Sequence, residues 1–200
     1  MYRVPRNKFD AEMKWLYNHK YRTLSLDEVY YNITHKIRFS ARSVVITFDD
    51  GYGDNYYDAS PIMKKYNFKG TVFVITGDID NIKNGYLSGQ QLKELDRDGM
   101  DIEVHTVTHR YLSALPYTIQ YHELHDSKKT LQYLLRKKCY YIAFPYGAYN
   151  STTIAIAKKL GYRLCFISYG GMALPSSSKY SFPRIFVGQD LKSFITSVQS

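Results

Sequence analysis

Residues 47–58 read TFDDGYGDNYYD and place two adjacent carboxylates, Asp49 and Asp50, at the end of an apolar run. That run, Val45 to Phe48, is typical of a buried strand. Adjacent side chains on a strand point to opposite faces, so both acids can serve one site only where the strand ends and the backbone turns. The glycines that follow supply such a turn. The stretch therefore predicts a strand whose C-terminal end carries acidic groups, which is where α/β folds build their sites.

The rest of the chain alternates between strand-like and helix-like patterns. An amphipathic helix near Phe9 to Tyr17 and a second helix opened by the capping box SLDE at Ser25 come first. Strand-like runs follow at 43–48, 70–75, 100–105, 140–144, 162–167 and 182–187, and helical patterns lie near 57–66, 88–98, 118–136, 151–160 and 190–198. Strands alternating with helices predict an α/β fold with a parallel sheet. Six strands with functional groups at their C-terminal ends favour a closed barrel, and no phosphate-binding glycine motif follows any of them.

Composition predicts a single domain spanning residues 1–200. The chain has 200 residues, 44% of them hydrophobic, and no linker, repeat or low-complexity tract. Its net charge of +9 favours anionic surroundings, but the basic residues are scattered in pairs on predicted helices, so we expect solvated faces and no nucleic-acid partner. The sequence contains no run of about 18 apolar residues and no visible signal peptide, so no transmembrane segment is predicted. Cys139 and Cys165 lack metal-ligand spacing and are expected to be buried free thiols.

A histidine pair adds metal-binding chemistry to the acidic strand end. The motif HTVTH covers residues 105–109, and a helical turn after the third strand would put both rings on one side. With one of the two carboxylates, His105 and His109 would form a two-histidine, one-carboxylate set. Such a set leaves open positions for water and substrate on zinc or a related divalent ion. The two motifs together predict a hydrolytic metal site.

Three segments carry a resemblance to a known family. They are TFDDGYGDNYYDASPIMKKYNFKGTVFV, GMDIEVHTVTH and FPYGAYN, and they resemble the successive signature motifs of the polysaccharide deacetylases, the carbohydrate esterase group with a NodB-type domain. The likeness extends from VPRNKF to SFPRIFV, and the order of motifs looks closest to the bacterial branch that includes poly-N-acetylglucosamine deacetylases. The resemblance implies a distorted (β/α) barrel and a hydrolase that removes N-acetyl groups from an amino-sugar polysaccharide: poly-N-acetylglucosamine, a chitin-like polymer or peptidoglycan glycan. It further implies an acetylated polysaccharide or oligosaccharide as partner and an extracellular or cell-surface location in bacteria. We also expect a monomer.

The resemblance also implies roles for individual residues. The implied metal ligands are Asp50, His105 and His109. They would hold one divalent ion, with zinc expected and cobalt or nickel as alternatives. Asp49 would be the catalytic base. The backbone N–H of Tyr146, in a tight turn made by Pro145 and Gly147, would stabilise the oxyanion. Read without the family, FPYGAYN is an ordinary turn before a helix capped by Asn150.

Two positions depart from the family pattern. Ala143 stands where many members have an arginine that orients the base, and Arg184 is the candidate to supply that positive charge. A general acid is also needed to expel an amine, and no histidine follows His125. The resemblance places a histidine on a strand upstream of the first helix. We therefore expect an N-terminally truncated chain that lacks its first barrel strand and its signal or anchor segment.

Alternative functions remain open at this point. An O-acetyl xylan esterase would use the same site, because an alkoxide leaves more easily than an amine. A catalytically weak relative could bind glycans through exposed members of the 21 tyrosines without turnover. Nucleic-acid binding would require the basic residues to form one continuous stripe. Metal content measured together with acetate release separates an enzyme from a binding protein.

Overall fold

The computed structural model describes residues 4–187 and 190–199. The helices are α1 (Arg6–Asn18), α2 (Leu26–Thr34), α3 (Ser60–Lys65), α4 (Gly89–Arg97), α5 (Tyr117–Leu135), α6 (Ser151–Lys159) and α7 (Leu191–Gln199). The strands are β1 (Arg22–Thr23), β2 (Ser43–Val44), β3 (Thr47–Phe48), β4 (Thr71–Val74), β5 (Asp101–Val104), β6 (Tyr141–Ala143), β7 (Leu164–Gly170) and β8 (Phe182–Arg184). The predicted single domain, 1–200, includes residues outside the described part of the chain and stays a prediction.

The strands form a curled parallel sheet surrounded by helices. Strands β3 to β8 pair in the order of the sequence, each parallel to the next, and β1 pairs in parallel with β2. Parallel neighbours need a crossover connection, and helices supply most of these crossovers here. The predicted distorted (β/α) barrel is confirmed. The C-terminal ends of its strands meet at one end of the barrel.

Side-chain alternation divides the core into an inner and an outer layer. Phe73 of β4 and Phe166 of β7 belong to an inner cluster, which Leu26 of α2 joins. Their strand neighbours Val72 and Cys165 belong to the larger outer cluster, which includes buried residues of the surrounding helices. The period of two along each strand produces this division. The buried members of both clusters are almost fully shielded from solvent, so packed side chains support the strands on both faces of the sheet.

Two details of the predicted strands are wrong. The expected continuous strand over 43–48 is divided into β2 and β3, because β2 pairs with β1 whereas β3 pairs with β4, and the chain passes from one ladder to the other at Val45 and Ile46. Strand β1 was not predicted. It has only two residues, one of which is exposed, so it shows no alternation that a sequence pattern could reveal.

Other features agree with the sequence. Ser25 caps α2 in a full capping box with Glu28, and Cys139 and Cys165 are free and buried. Among the described residues, no helix combines the length and the hydropathy that crossing a bilayer requires.

One buried carboxyl makes stability depend on pH. Glu12 of α1 is 2% exposed, and its Oε1 has no hydrogen-bond partner among the described residues. Burial raises the pKa of Glu12 to about 7, with a small further increase from Asp190 and an opposing effect of Lys8. A raised pKa in the folded state means that Glu12 stabilises the fold below its unfolded pKa of 4.5 and that this contribution is lost as the pH rises through about 7.

We expect Glu12→Gln to remove this pH dependence. Near pH 4.5, the variant and the wild type should have the same free energy of unfolding. Above pH 8, that of the variant should be higher by up to about 3 kcal/mol, as expected for a pKa shift of this size. Urea denaturation at both pH values measures the difference. A difference that is the same at both pH values would show that Glu12 keeps its ordinary pKa.

Candidate metal centre

The two aspartates lie where β3 ends and the chain reverses. Asp50 has a left-handed backbone with φ of 76°, and Gly51 follows with φ of 81°. A side chain on Gly51 would meet the side chain of Val74 at 3.3 Å, so the turn packs directly against β4. The backbone carbonyl of Asp50 accepts a hydrogen bond from Ile75 N–H. This reversal lets the side chains of Asp49 and Asp50 face one site, as the glycines of the motif predicted.

The two histidines follow β5, but not in a helical turn. Residues 105–110 form an irregular loop in which Thr106 and His109 have left-handed φ values of 67° and 56°. The predicted helical turn is therefore wrong. The Thr106 hydroxyl accepts a hydrogen bond from the backbone N–H of His109 and closes the loop. The imidazole centroids of His105 and His109 are 4.8 Å apart.

His105 is held in one orientation. Its ring is 2% exposed, and its Nδ1 lies 2.7 Å from the backbone carbonyl oxygen of Ala143 on β6. A carbonyl only accepts, so Nδ1 carries the proton and Nε2 presents its lone pair towards Asp50. Burial, together with the neighbouring His105, lowers the pKa of His109. Both effects favour the neutral imidazole of His109, the form that binds metals.

The three side chains fit a divalent metal ion. Asp50 Oδ1 lies 3.4 Å from His105 Nε2 and 3.3 Å from His109 Nε2, and one ligand atom from each residue lies within 4.8 Å of the others. Metal–ligand bonds of about 2.0–2.1 Å in a tetrahedron separate the ligand atoms by about 3.3 Å. One oxygen and two imidazole nitrogens are also the ligand types that zinc and related ions accept. Three protein ligands leave at least one coordination position for solvent or substrate.

Asp49 is held by an arginine from the other end of the sequence. Arg184 on β8 donates from Nη1 and Nη2 to the two carboxylate oxygens of Asp49 at 2.8 and 2.7 Å. Its Nε donates to the carbonyl of Ile167, and its Nη1 also donates to the hydroxyl of Thr47. Burial acts to raise the pKa of Asp49, but the Arg184 guanidinium and His105 outweigh it and lower that pKa to about 2. Asp49 is therefore ionised at neutral pH and fixed in orientation beside the candidate metal ligands.

The turn after β6 approaches the same centre. Tyr146 and Gly147 have left-handed φ values of 58° and 66°. A side chain on Gly147 would meet the Tyr169 ring at 2.6 Å, so only glycine fits there. The Tyr146 ring lies 4.7 Å from the His109 ring and stacks on Tyr111, with centroids 4.0 Å apart. Pro145 is buried at the start of this turn, whereas Tyr146 and Tyr111 remain 51% and 55% exposed.

Sequence reasoning missed two contributors to this region. Tyr111 follows the second histidine closely, but nothing in its sequence context predicts its stacking on Tyr146. Glu123 lies among charged residues of α5, a pattern typical of a solvated helix face, yet it is only 5% exposed. Its neighbours His122 and His125 do lie on the outer face, where both contact Asp126. The remaining histidines, at the ends of α1 and α2, stack on Trp15 and Tyr31.

Known proteins share both the sequence and the architecture. The family model described as polysaccharide deacetylase matches residues 36–165. The protein YxkH of Bacillus subtilis is 38% identical over 185 residues, which make up 92% of this chain and 66% of that protein. A poly-β-1,6-N-acetyl-D-glucosamine N-deacetylase of Staphylococcus aureus is 34% identical over 202 residues, covering 94% of this chain and 69% of that protein.

A solved structure agrees with these relatives. The deacetylase PplD of Streptococcus pyogenes, in complex with acetate, superposes with a TM-score of 0.91 at 32% identity and covers 98% of this chain and 88% of its own. In sequence, the chain spans about two thirds of the length of YxkH and of the Staphylococcus aureus deacetylase. The predicted resemblance is confirmed, and the chain belongs to the polysaccharide deacetylase family.

Proposed function

We propose that the chain is a metal-dependent hydrolase that removes N-acetyl groups from an amino-sugar polysaccharide. One observation supports the proposal: the ligand atoms of Asp50, His105 and His109 are spaced as one metal ion requires, while Asp49 pairs with Arg184 and stays outside this set. A hydrolase of this kind needs ligands for an ion and a separate base, and the two adjacent aspartates divide these roles.

The bound ion would lower the pKa of a water molecule and polarise the acetyl carbonyl, and zinc is the ion we propose. Asp49 accepts the proton of the attacking water. Arg184 donates to both carboxylate oxygens, so it fixes the orientation in which Asp49 accepts that proton. The backbone N–H of Tyr146 donates to the developing oxyanion, and the left-handed turn at Tyr146 and Gly147 sets its direction.

The proposed substrate is a polymer of β-1,6-linked N-acetylglucosamine. The Staphylococcus aureus relative, named for that polymer, supports this choice at 34% identity. Beside His109, the stacked and half-exposed rings of Tyr111 and Tyr146 offer a flat apolar surface with polar tips, which suits the face of a pyranose. A polymer of this kind lies outside the cell, so we propose a cell-surface or extracellular place of action.

One observation favours a second candidate, an O-acetyl esterase with the same site. Departure of an amine needs a proton donor, and in the described part of the chain the histidines other than His105 and His109 make their contacts elsewhere. An alkoxide leaves with less assistance. Acetylated xylan is therefore the substrate that separates the two candidates.

The test is acetate release from three substrates: β-1,6-linked N-acetylglucosamine oligomers, chitooligosaccharides and acetylated xylan. We expect release from the β-1,6-linked oligomers that disappears with a chelator and returns with added zinc, with cobalt and nickel as comparisons. Release from xylan alone would favour the esterase. Protein that binds metal and glycan but releases no acetate from any substrate would be a glycan-binding relative, and the proposal would be wrong.

The tyrosine surface leads to a separate prediction. We expect Tyr111→Ala to raise the KM for oligosaccharides about three- to tenfold with little change in kcat, because one stacking face is worth about 0.5–1.5 kcal/mol. Steady-state acetate release measures both constants. Tyr133→Ala is the matched control, because Tyr133 is 88% exposed on α5 and is not one of the two stacked tyrosines beside His109. An equal KM for both variants would contradict the assignment of Tyr111 to substrate binding.

A further inference from the structure

The loop between the two candidate ligand histidines is held from both sides. On one side, the backbone carbonyls of Thr106 and Val107 accept hydrogen bonds from the N–H groups of Thr76 and Gly77 at 3.0 and 2.9 Å. A side chain on Gly77 would lie 2.5 Å from the Val107 carbonyl oxygen, so this approach requires glycine. The positions of the loop carbonyls are therefore fixed by the turn that follows β4.

On the other side, the loop N–H groups converge on one carboxylate. Glu123 Oε2 accepts hydrogen bonds from the backbone N–H groups of Val107 at 2.8 Å and Thr108 at 2.9 Å. Its Oε1 accepts a short hydrogen bond from the Thr108 hydroxyl. Glu123 is 5% exposed, so water does not compete for these donors. A single side chain of α5 thus satisfies three donors from the two residues between Thr106 and His109.

The backbone of this loop needs such support. Thr106 and His109, which bracket Val107 and Thr108, both have left-handed φ values that non-glycine residues adopt only when the surroundings enforce them. The Thr106 conformation directs the chain away from β5, and the His109 conformation sets the imidazole facing Asp50. Without the buried Glu123 carboxylate, the backbone N–H groups of half-buried Val107 and exposed Thr108 would lose their common acceptor. The loop would then relax towards other conformations.

We propose that Glu123 is a positioning residue for the metal centre: by binding Val107 and Thr108, it holds the His105 and His109 imidazoles at ligand spacing. The hydrogen bonds of Glu123 go to Val107 and Thr108 and not to either imidazole, and Glu123 is not one of the three candidate ligands. It therefore acts through the loop. The inference rests on the proposed function, because it assumes that these three residues bind a divalent ion.

Two substitutions separate geometry from charge. Glu123→Leu removes all three acceptor contacts at similar volume. Glu123→Gln removes the charge but keeps the contacts, because its carbonyl oxygen can face the two N–H groups while its NH₂ donates to the Thr108 hydroxyl. If Glu123 acts through geometry, Glu123→Gln should restore what Glu123→Leu loses.

A matched control on the same helix reports general destabilisation. Gln120 lies one turn earlier in α5, is 1% exposed and bonds Leu115 and Thr153, away from residues 105–109. Gln120→Met removes these buried polar contacts without touching the loop. The metal-free Tm of this variant measures the loss of stability. Its Zn²⁺ affinity then shows how much that loss alone weakens metal binding.

The experiment measures the affinity of each purified variant for Zn²⁺ by chelator competition, together with the visible spectrum of the Co²⁺ form and the metal-free Tm. We expect Glu123→Leu to bind Zn²⁺ about 10- to 100-fold more weakly and to change the Co²⁺ spectrum, as loss of a residue that orients ligands does. Glu123→Gln should stay within about threefold of the wild type, and Gln120→Met should keep full affinity.

Four outcomes would overturn the inference. Undiminished Zn²⁺ affinity in Glu123→Leu would overturn it while leaving the proposed function standing. An equal loss in Gln120→Met at a similar Tm, or an equal loss in Glu123→Gln, would show that stability or charge is responsible instead. A wild-type protein that binds no divalent ion would overturn the proposed function, and this inference with it.

Discussion

Asp49→Asn is expected to reduce kcat for acetate release by about 10²- to 10⁴-fold, the range typical of losing a general base, while the bound metal stays at wild-type content. Asparagine has nearly the shape of aspartate but cannot accept a proton at neutral pH. Asp49 lies beside the three candidate ligands and pairs with Arg184, so its substitution should leave those ligands in place. Steady-state kinetics and metal analysis of the same preparation measure both quantities.

The neighbouring residue provides the matched control. Asp50→Asn makes the same chemical change one position later, but in a residue whose Oδ1 lies 3.3–3.4 Å from both imidazoles. We expect this variant to lose metal and turnover together. Metal loss in Asp49→Asn, or retained metal with normal turnover in Asp50→Asn, would reverse the roles proposed for the two aspartates.

The parts of the fold that repeat a simple pattern could be predicted from the sequence. Strands β4 to β7 are short apolar runs whose neighbours in sequence are amphipathic helices, and each was placed within a few residues. The capping box at Ser25 was predicted because its two partners are three residues apart and need no tertiary information. The positions of Asp49 and Asp50 at a strand end follow from the glycines after them.

The remaining features depend on contacts between distant parts of the chain. Glu123 looks like a surface residue because charged residues surround it on α5, yet the loop after β5 covers it. The loop itself was expected to be helical from the spacing of its histidines alone, and that spacing carries no information about the left-handed backbone of Thr106. Tertiary hydrogen bonds decide both outcomes, and a local pattern does not contain them.

The same reasoning applies to the base and its arginine, which are 135 residues apart in the chain. The sequence offered Arg184 only because Ala143 left a position of the family pattern without its positive charge. The barrel makes this exchange possible: strands β3 and β8 lie at opposite edges of the curled sheet, and the guanidinium bridges their ends through Thr47 and Asp49. An arginine can therefore reach the base from the last strand as well as from β6.

We expect Arg184→Lys and Arg184→Met to reduce kcat by on the order of 10²-fold each, because misplacing a catalytic group by about 1 Å has an effect of this size. The guanidinium contacts both oxygens of Asp49, the Thr47 hydroxyl and the Ile167 carbonyl in one fixed plane. Lysine keeps the charge but offers a single flexible ammonium that cannot reproduce this planar pairing. Metal affinity should change much less than kcat, because Arg184 contacts none of the three candidate ligands in these hydrogen bonds.

Comparison of the two Arg184 variants decides how the arginine acts. Similar losses in both variants would mean that the planar orientation of Asp49 matters, whereas near-normal turnover in Arg184→Lys alone would mean that positive charge suffices. Thr47→Val is the graded control: it removes one acceptor of the guanidinium and leaves the pair with Asp49, so a loss of less than tenfold is expected. Unchanged kcat in Arg184→Met, in protein that still binds metal, would exclude Arg184 from orienting the base.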